Sequence, residues 1–508
     1  MANVGMVALL LILFLTFLDN TVISAVLANV QSELHSGVAE LQWIVGGYAL
    51  AFASLMLICG ALGDAYGRRR LMTVGVVVFC AGSIVCAVAT SSGMLIAGRV
   101  VMGAGAAASE PGTLSMIRQI YPVARHRARA LGAWAAVSGL ALAIGPVLGG
   151  VLTGIWSWRA IFWFNVVFGG VAFVLARSTL PESSDPEPTR PDYKGFFLIA
   201  VALGASTYAT ISGESSGYLS SGPDTLYAVA LLALSVFFVV EHRERHPMIL
   251  VSFFKRPAFA GSNFVALTSY FSILSIFFFV ALYLEIVASA GAYQLAQDFL
   301  PLLGGMVVAS VVSGRWVGAV GSRVPMMVGC AVAAVGVLLT DINIAPHAGL
   351  TSVGWTMGIA GIGFGLLAVP VTSTALVSVP AAHSSMAASM TNTSRELGAV
   401  AGVAILGSVV NGQLTVHLTN RLIQIGIPKV YRDQVIAAVT TGSINAQLAA
   451  LKGQTSKAVQ QIINKVVQAA YQAFTHGLNL ALTASFVLLM ISSVVAYATG
   501  TSGPDELV

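Results

Sequence analysis

Charge is the scarcest feature of this sequence. Asp, Glu, Lys and Arg make up only 9 % of its 508 residues, whereas soluble proteins carry about 25 %. Hydrophobic residues account for 57 %. So few charges cannot cover the surface of a soluble protein of this length. The composition therefore excludes a soluble protein and predicts an integral membrane protein, most of whose surface contacts the lipid bilayer.

Cysteines and catalytic motifs are also scarce. The four cysteines all lie within apolar runs, which excludes a disulfide framework or a zinc site; they are Cys59, Cys80, Cys86 and Cys330. The chain has no G-x-x-x-x-G-K-[ST] loop for binding ATP phosphates and no H-E-x-x-H metal motif. We therefore expect no enzymatic activity, no cofactor, no metal site and no nucleic-acid partner.

Long apolar runs dominate what remains. A helix crosses the hydrocarbon core of a bilayer with about 20 apolar residues, and fourteen such runs predict an all-α protein with fourteen transmembrane helices. These runs, numbered span 1 to span 14, are 6–26, 41–63, 71–90, 94–117, 130–152, 160–177, 195–212, 225–240, 262–284, 299–319, 324–340, 351–379, 386–410 and 477–499.

The distribution of positive charge predicts the orientation. With a cytoplasmic N-terminus, sixteen of the 25 Lys and Arg residues lie in inner loops, and one, Arg159, lies in a short outer loop. Inner loops of membrane proteins carry the excess of Lys and Arg. We therefore expect a multi-pass protein of the cytoplasmic membrane with both termini in the cytoplasm, and an outer segment at 412–475.

The loop after span 2 combines glycines with charged residues. Its candidate gating residues are Gly60, Gly63, Asp64, Gly67, Arg68 and Arg69. Glycine permits a tight turn between antiparallel helices, and Asp64 beside the two arginines can form a charge-assisted latch. An ordinary positively charged inner loop is the alternative interpretation.

Two further motifs complete a family pattern. Span 4 contains Leu95-Ile-Ala-Gly-Arg99, and span 5 contains the sequence Gly145-Pro146-Val-Leu-Gly149-Gly150. Together with the loop after span 2, they resemble the signatures of the major facilitator superfamily, and the span 5 motif is typical of its antiporters. Two more pieces resemble the fourteen-span drug:proton antiporter branch, namely Leu18-Asp-Asn-Thr-Val22 and the segment from Trp156 to Asn165.

An internal repeat supports the same fold. Gly314–Arg323 aligns with Gly60–Arg69, although Gly318 replaces Asp64. The resemblance implies the major facilitator fold, with two six-helix bundles and two inserted spans. The expected divisions are 1–177 for the first bundle, 178–258 for a linker with spans 7 and 8, and 259–508 for the second bundle with loop 412–475.

Charged residues inside spans are costly and therefore candidate functional residues. Asp19 lies about 10 Å from the outer face on span 1, and Arg99 lies about 9 Å deep on span 4. Their matching depths predict a pair. It is either a structural ion pair or a site where a proton competes with Arg99 or a substrate cation for the carboxylate.

Glu110 is the third candidate for proton coupling. It follows Arg99 by eleven helical positions, so the two differ by about 20° in direction and share one face. The small residues Gly103 and Ala106 lie between them and are expected to leave room for substrate or water. Glu110 is either a proton or substrate-cation site, or a protonated packing residue.

Other candidates line the expected cavity. Arg395 and Glu396 lie near the middle of span 13, and packing or gating is their alternative role. The full set of cavity candidates is Phe14, Phe17, Asn20, Glu110, Phe271, Phe277, Arg395 and Glu396. The aromatic members are either substrate contacts or ordinary packing residues.

The resemblance and the buried charges predict a proton-coupled exporter of amphipathic organic compounds or drugs, driven by the proton gradient. Its expected partners are the small-molecule substrate, protons and the lipid bilayer, and no feature of the sequence calls for a second copy of the chain. Export of an endogenous lipid or secondary metabolite is one alternative. A channel or sensor with a transporter-like fold is another.

Overall fold

Helices form every regular element in the part of the chain that is described. The computed structural model describes residues 2–121, 124–183, 192–216, 221–243, 251–286, 292–344, 350–380, 384–424, 432 and 457–501. One long helix corresponds to each predicted span, which confirms the all-α fold with fourteen spans. Thirteen of these helices are long and apolar enough to cross a membrane, and the other one, Val38–Tyr66, has 29 residues.

The helix bounds follow the predicted spans closely in most of the chain. Spans 1 to 7 are Ala2–Val22 with its continuations Ile23–Val26 and Leu27–Leu34, Val38–Tyr66, Arg68–Ala87, Ser92–Ser109 with its continuation Pro111–Ile120, Ala124–Ile155, Arg159–Thr179 and Tyr193–Ser216. Spans 8 to 14 are Ser221–Arg243, Pro257–Ile286, Ala292–Val320, Arg323–Asn343, Trp355–Val377 preceded by the π-helical turn Leu350–Gly354, Ser384–Gln424 and Lys457–Thr499.

Spans 13 and 14 extend well beyond their predicted outer ends. They contain 41 and 43 residues, which corresponds to about 60 Å each, against a hydrocarbon core of about 30 Å. Leu414, Leu418 and Leu422 are buried at helical spacing along the extension of span 13. The apolar runs predicted only the part in lipid, whereas the two helices continue because they pack against each other. The expected loop 412–475 is thus helical at both described ends.

Spans 1 and 9 lie inside the molecule. All residues of 16–27 and of 271–284 are buried, and a helix that is buried on every side lies among other helices. Between the two bundles, span 5 contacts span 10 and span 2 contacts span 13. The inserted spans 7 and 8 pack on each other, and span 7 also contacts spans 2 and 13. The inserted pair therefore lies beside the contact of span 2 with span 13.

Candidate functional site

Asp19 and Arg99 form a buried ion pair between spans 1 and 4. Asp19 Oδ2 binds Arg99 Nη1, and Asp19 Oδ1 accepts a hydrogen bond of 2.8 Å from Asn165 Nδ2 of span 6. Both members of the pair are 0 % exposed. The pairing expected from the matching depths is therefore present, and it joins three spans.

Arg99 is held by two further groups of span 2. Its Nε donates to the Ile44 carbonyl oxygen at 2.9 Å, and its guanidinium lies 4.5 Å from the centre of the Tyr48 ring. Sequence reasoning missed the roles of Tyr48 and Asn165. The one feature of the sequence that pointed to such a role was the amide side chain of Asn165 inside the apolar span 6.

Glu110 lies at the break between the two helical segments of span 4, just before Pro111. It is fully buried, and its Oε1 accepts a hydrogen bond of 3.4 Å from Asn392 Nδ2 of span 13. Glu110 therefore contacts the second bundle, whereas Arg99 contacts span 1. The expected space beside Gly103 is absent, because a Cβ there would clash with the Tyr48 carbonyl oxygen. The small residue makes room for span 2.

Arg395 and Glu396 have different neighbours. Arg395 Nη1 donates to Asn392 Oδ1 at 3.0 Å, and its Nη2 donates to Thr372 Oγ1 of span 12 at 2.8 Å. Glu396 Oε1 instead accepts a hydrogen bond of 3.4 Å from Asn20 Nδ2 of span 1. Arg395 is thus bound within the second bundle, and Glu396 reaches the first bundle.

The aromatic candidates pack against neighbouring helices. Phe17 meets Trp134 of span 5 edge to face, with ring centres 6.3 Å apart. Phe277 stacks on a phenylalanine of span 10 at 5.5 Å. Phe271 is buried, and Phe14 is half-buried. The contacts of Phe17 and Phe277 are those of packing residues, as in the alternative interpretation of these rings.

Known proteins identify the family. Residues 9–403 match the model of the Major Facilitator Superfamily. The chain belongs to the Major Facilitator Superfamily. It is 31 % identical over 433 residues to the multidrug resistance protein Stp of Mycobacterium tuberculosis (strain CDC 1551 / Oshkosh), covering 85 % of this chain and 80 % of Stp. It is 30 % identical over 495 residues to the drug efflux pump JefA of the same strain, covering 96 % of this chain and 95 % of JefA.

A solved structure shares the fold. The bacterial homologue of the human lysosomal transporter Spinster, in its inward-facing and unoccupied conformation, superposes with a TM-score of 0.63 at 18 % identity, covering 98 % of this chain and 96 % of that one. The structure therefore has the major facilitator fold, and membership of the superfamily makes the chain a membrane transporter.

The superfamily's loop motif after span 2 binds the segment that follows span 6. Gly67 has a φ of 109°, which favours glycine. The Arg69 backbone N–H donates to Glu182 Oε1 at 3.1 Å, and Arg69 Nε lies 3.4 Å from Glu182 Oε2. Arg70 Nε lies 3.6 Å from the same oxygen, and the Arg68 backbone N–H donates to the Ser183 carbonyl oxygen at 2.8 Å.

Glu182 is the residue of this loop contact that sequence reasoning missed, and an acidic residue at the start of the linker was its only signal. The expected latch residue Asp64 lies on the helix of span 2, but its side chain lies outside the described part of the chain. Gly60 and Gly63 belong to the last turns of that helix. The Gly63 carbonyl oxygen accepts a hydrogen bond of 3.0 Å from the Gly67 N–H. Gly60 has open space beside it.

The antiporter motif of span 5 packs against span 1. A Cβ at Gly145 would clash with Thr21 Oγ1, and a Cβ at Gly149 would lie 2.7 Å from the Val22 carbonyl oxygen. Thr21 Oγ1 also donates to a carbonyl oxygen of span 5, that of Leu142, at 2.8 Å. The glycines therefore allow span 1 to approach closely just after Asp19.

The backbone of both helices changes at this contact. Span 1 passes from an α-helix into a 3₁₀ turn over Ile23–Val26, and such a turn within a longer helix often marks a hinge. Pro146 lies inside the span 5 helix, where it removes one backbone hydrogen bond. Gly150, the last motif residue, is buried.

The family segment from Trp156 to Asn165 also binds the C-terminal continuation of span 1. Glu33 accepts a hydrogen bond of 2.6 Å from Trp158 Nε1 and one of 2.5 Å from Arg159 Nη1. Arg159 also donates to the Ala89 carbonyl oxygen at 2.8 Å. These contacts connect the ends of spans 1 and 3 with the start of span 6.

Proposed function

We propose that the chain is a proton-coupled secondary exporter that moves amphipathic organic compounds out of the cell by alternating access. The observation that carries the proposal is a set of four buried charged side chains inside the spans, namely Asp19, Arg99, Glu110 and Glu396. Two of them, Glu110 and Glu396, accept hydrogen bonds from the opposite bundle. The proposal is also supported by the names of two relatives, a multidrug resistance protein and a drug efflux pump.

Burial provides the physical basis for coupling. A charge near the middle of a membrane costs about 2.5–3.5 kcal/mol on insertion scales. A proton on Asp19 competes with Arg99 for the same carboxylate. Glu110 has no salt-bridge partner among the described residues. Neutralising these carboxylates, by a proton or by a substrate cation, therefore lowers the free energy of closing the bundles around them.

The energy source in this proposal is the proton gradient, and no cofactor is needed. The transporter acts as a monomer in the cytoplasmic membrane, with both termini in the cytoplasm. The orientation is supported by the sixteen Lys and Arg residues on the predicted inner side against one in a short outer loop. The contact of Arg69, in the loop after span 2, with Glu182 of the linker lies on this predicted inner side.

Transport by purified protein in liposomes tests the proposal. With an acidic lumen, we expect uptake of the fluorescent cation ethidium above the level without a pH gradient, and loss of this uptake with a protonophore. Asp19→Asn, reconstituted at equal density, is expected to abolish gradient-driven uptake. Equilibration that ignores the pH gradient would instead indicate a channel. Absence of uptake across a panel of cationic drugs, neutral drugs and secondary metabolites would contradict the proposal.

A further inference from the structure

Glu110 and Glu396 contact the opposite bundle in the same manner. Glu110 of span 4 accepts a hydrogen bond from Asn392 of span 13, and Glu396 of span 13 accepts one from Asn20 of span 1. Both distances are 3.4 Å. The two carboxylates thus lie on opposite bundles, and each is held by an amide of the other one.

Each carboxylate is only half satisfied. Glu110 is 0 % exposed and Glu396 is 3 % exposed. The second oxygen of each, Oε2, has no hydrogen-bond partner among the described residues. Asn392 and Glu396 are four positions apart on span 13 and therefore share one face of that helix, so the hydrogen bond to Asn392 places Glu110 beside Glu396. An unpartnered oxygen on a buried carboxylate is costly while the group is charged, so this arrangement requires a positive charge or a proton.

The charge balance shows how many positive charges this arrangement requires. Among the described residues, the charged side chains around this contact are three buried carboxylates, on Asp19, Glu110 and Glu396, the buried guanidinium of Arg99 and the half-buried guanidinium of Arg395. Asp19 is already engaged by Arg99 and Asn165. One guanidinium therefore remains for two carboxylates, which leaves one excess negative charge.

We propose that Glu110 and Glu396 act as one shared site for a single positive charge, which is either a proton or the cationic group of a monovalent substrate. Asn20 and Asn392 are the positioning residues of this site. The inference rests on the proposed function and adds Glu396 to its coupling residues.

Three ionisable groups of the described residues act on the shared site. Those that interact with one or both of its carboxylates are Arg395, Tyr48 and Tyr270. The Asp19–Arg99 pair lies next to Tyr48. Arg395 donates to Asn392 and Thr372 and not to a carboxylate, so it positions the amide and offsets one negative charge of the pair without a direct contact.

The sharing of one positive charge by Glu110 and Glu396 controls whether the two bundles can close. When the site holds a proton or a cation, the two bundles can close around it. When the site is empty, two ionised carboxylates are buried at the same contact between the bundles, and their repulsion and desolvation oppose closure. An empty transporter therefore does not close, which prevents leakage of substrate without exchange.

Proton release on binding tests the charge count. Purified protein in weakly buffered detergent solution is mixed with tetraphenylphosphonium, a permanently charged monovalent cation. We expect wild type to release about one proton per bound cation, since one replaces the other. Glu110→Gln and Glu396→Gln should each reduce the release to near zero, and the double variant should lose no more, because either change removes the whole excess charge. Glu40→Gln, which neutralises an exposed carboxylate at the start of span 2, should keep the wild-type value. Half-loss in each single variant, or an unchanged release, would overturn the shared site.

A distance measurement tests the same site without any substrate. Spin labels on cysteines at the exposed positions Tyr66 and Val320, in a background without native cysteines, report the separation of the two bundles at the ends that carry the repeated loop motif. We expect the distance between the labels in wild type to shorten as the pH falls, because the bundles close. In both Gln variants the distance should stay short at every pH. A wild-type distance that does not depend on pH would overturn the inference. A pH-dependent distance without any drug transport would retain the shared site and contradict only the drug-export function.

Discussion

The buried pair of Asp19 and Arg99 permits a quantitative test of how this transporter balances charge. Three proteins are compared with wild type, namely Asp19→Leu, Arg99→Met and the double variant. Each single change leaves one charge buried without its partner, because both side chains are 0 % exposed. Removing one partner of a buried ion pair costs about 3–5 kcal/mol.

The double variant should recover much of that loss. It buries no charge, and it replaces the ion pair by apolar side chains. Two groups then lose a partner, Asn165 Nδ2 and the Ile44 carbonyl oxygen, at about 1–3 kcal/mol each. We therefore expect the double variant to lose less unfolding free energy than the two single variants together, by roughly 3 kcal/mol or more.

Unfolding of the purified proteins in detergent, followed by tryptophan fluorescence, measures these differences. Tyr48→Phe is the matched control, because it keeps the ring below Arg99 and removes only the hydrogen bond of its hydroxyl to the Thr16 carbonyl oxygen, at about 1 kcal/mol. Additivity within about 0.5 kcal/mol would refute an energetic coupling of the pair. All three variants should also lose uptake driven by a pH gradient, and retained uptake in the double variant would refute the role of these charges in transport.

Four further outcomes are expected. Glu182→Gln should release the linker from the loop after span 2 and lower transport several-fold at equal expression, and unchanged transport would make this contact structural only. Gly145→Ala should destabilise the protein by about 1–3 kcal/mol through its clash with span 1. Gly139→Ala is the control, because Gly139 has open space beside it, and it should not destabilise the protein. Equal unfolding midpoints of the two variants would contradict the role of the motif. Glu110→Gln should impair export of cationic substrates more than that of neutral ones, and equal transport of both at wild-type rates would leave Glu110 as a packing residue. A single cysteine in 178–193 should react with an impermeant thiol reagent only from the cytoplasmic side, and labelling from outside would reverse the orientation.

The sequence by itself determined the membrane class, the number of spans and one buried contact. Lipid is a uniform apolar solvent, so each helix that crosses it must carry its own run of about 20 apolar residues, and those runs can be read without a structure. The depth of Asp19 and Arg99 followed from the helical rise alone. Their pairing was predictable because a buried charge needs a partner at its own depth.

Only the tertiary structure decided which polar groups meet across the two bundles. Glu396 lies 376 positions from Asn20, and Asn392 lies 282 positions from Glu110. Helical periodicity shows which face of a helix a residue occupies, but not which distant helix covers that face. The same limit hid Glu182, which follows span 6 and binds the loop after span 2. The extensions of spans 13 and 14 were missed for a related reason, since hydropathy records contact with lipid, whereas these helices are stabilised by packing against each other.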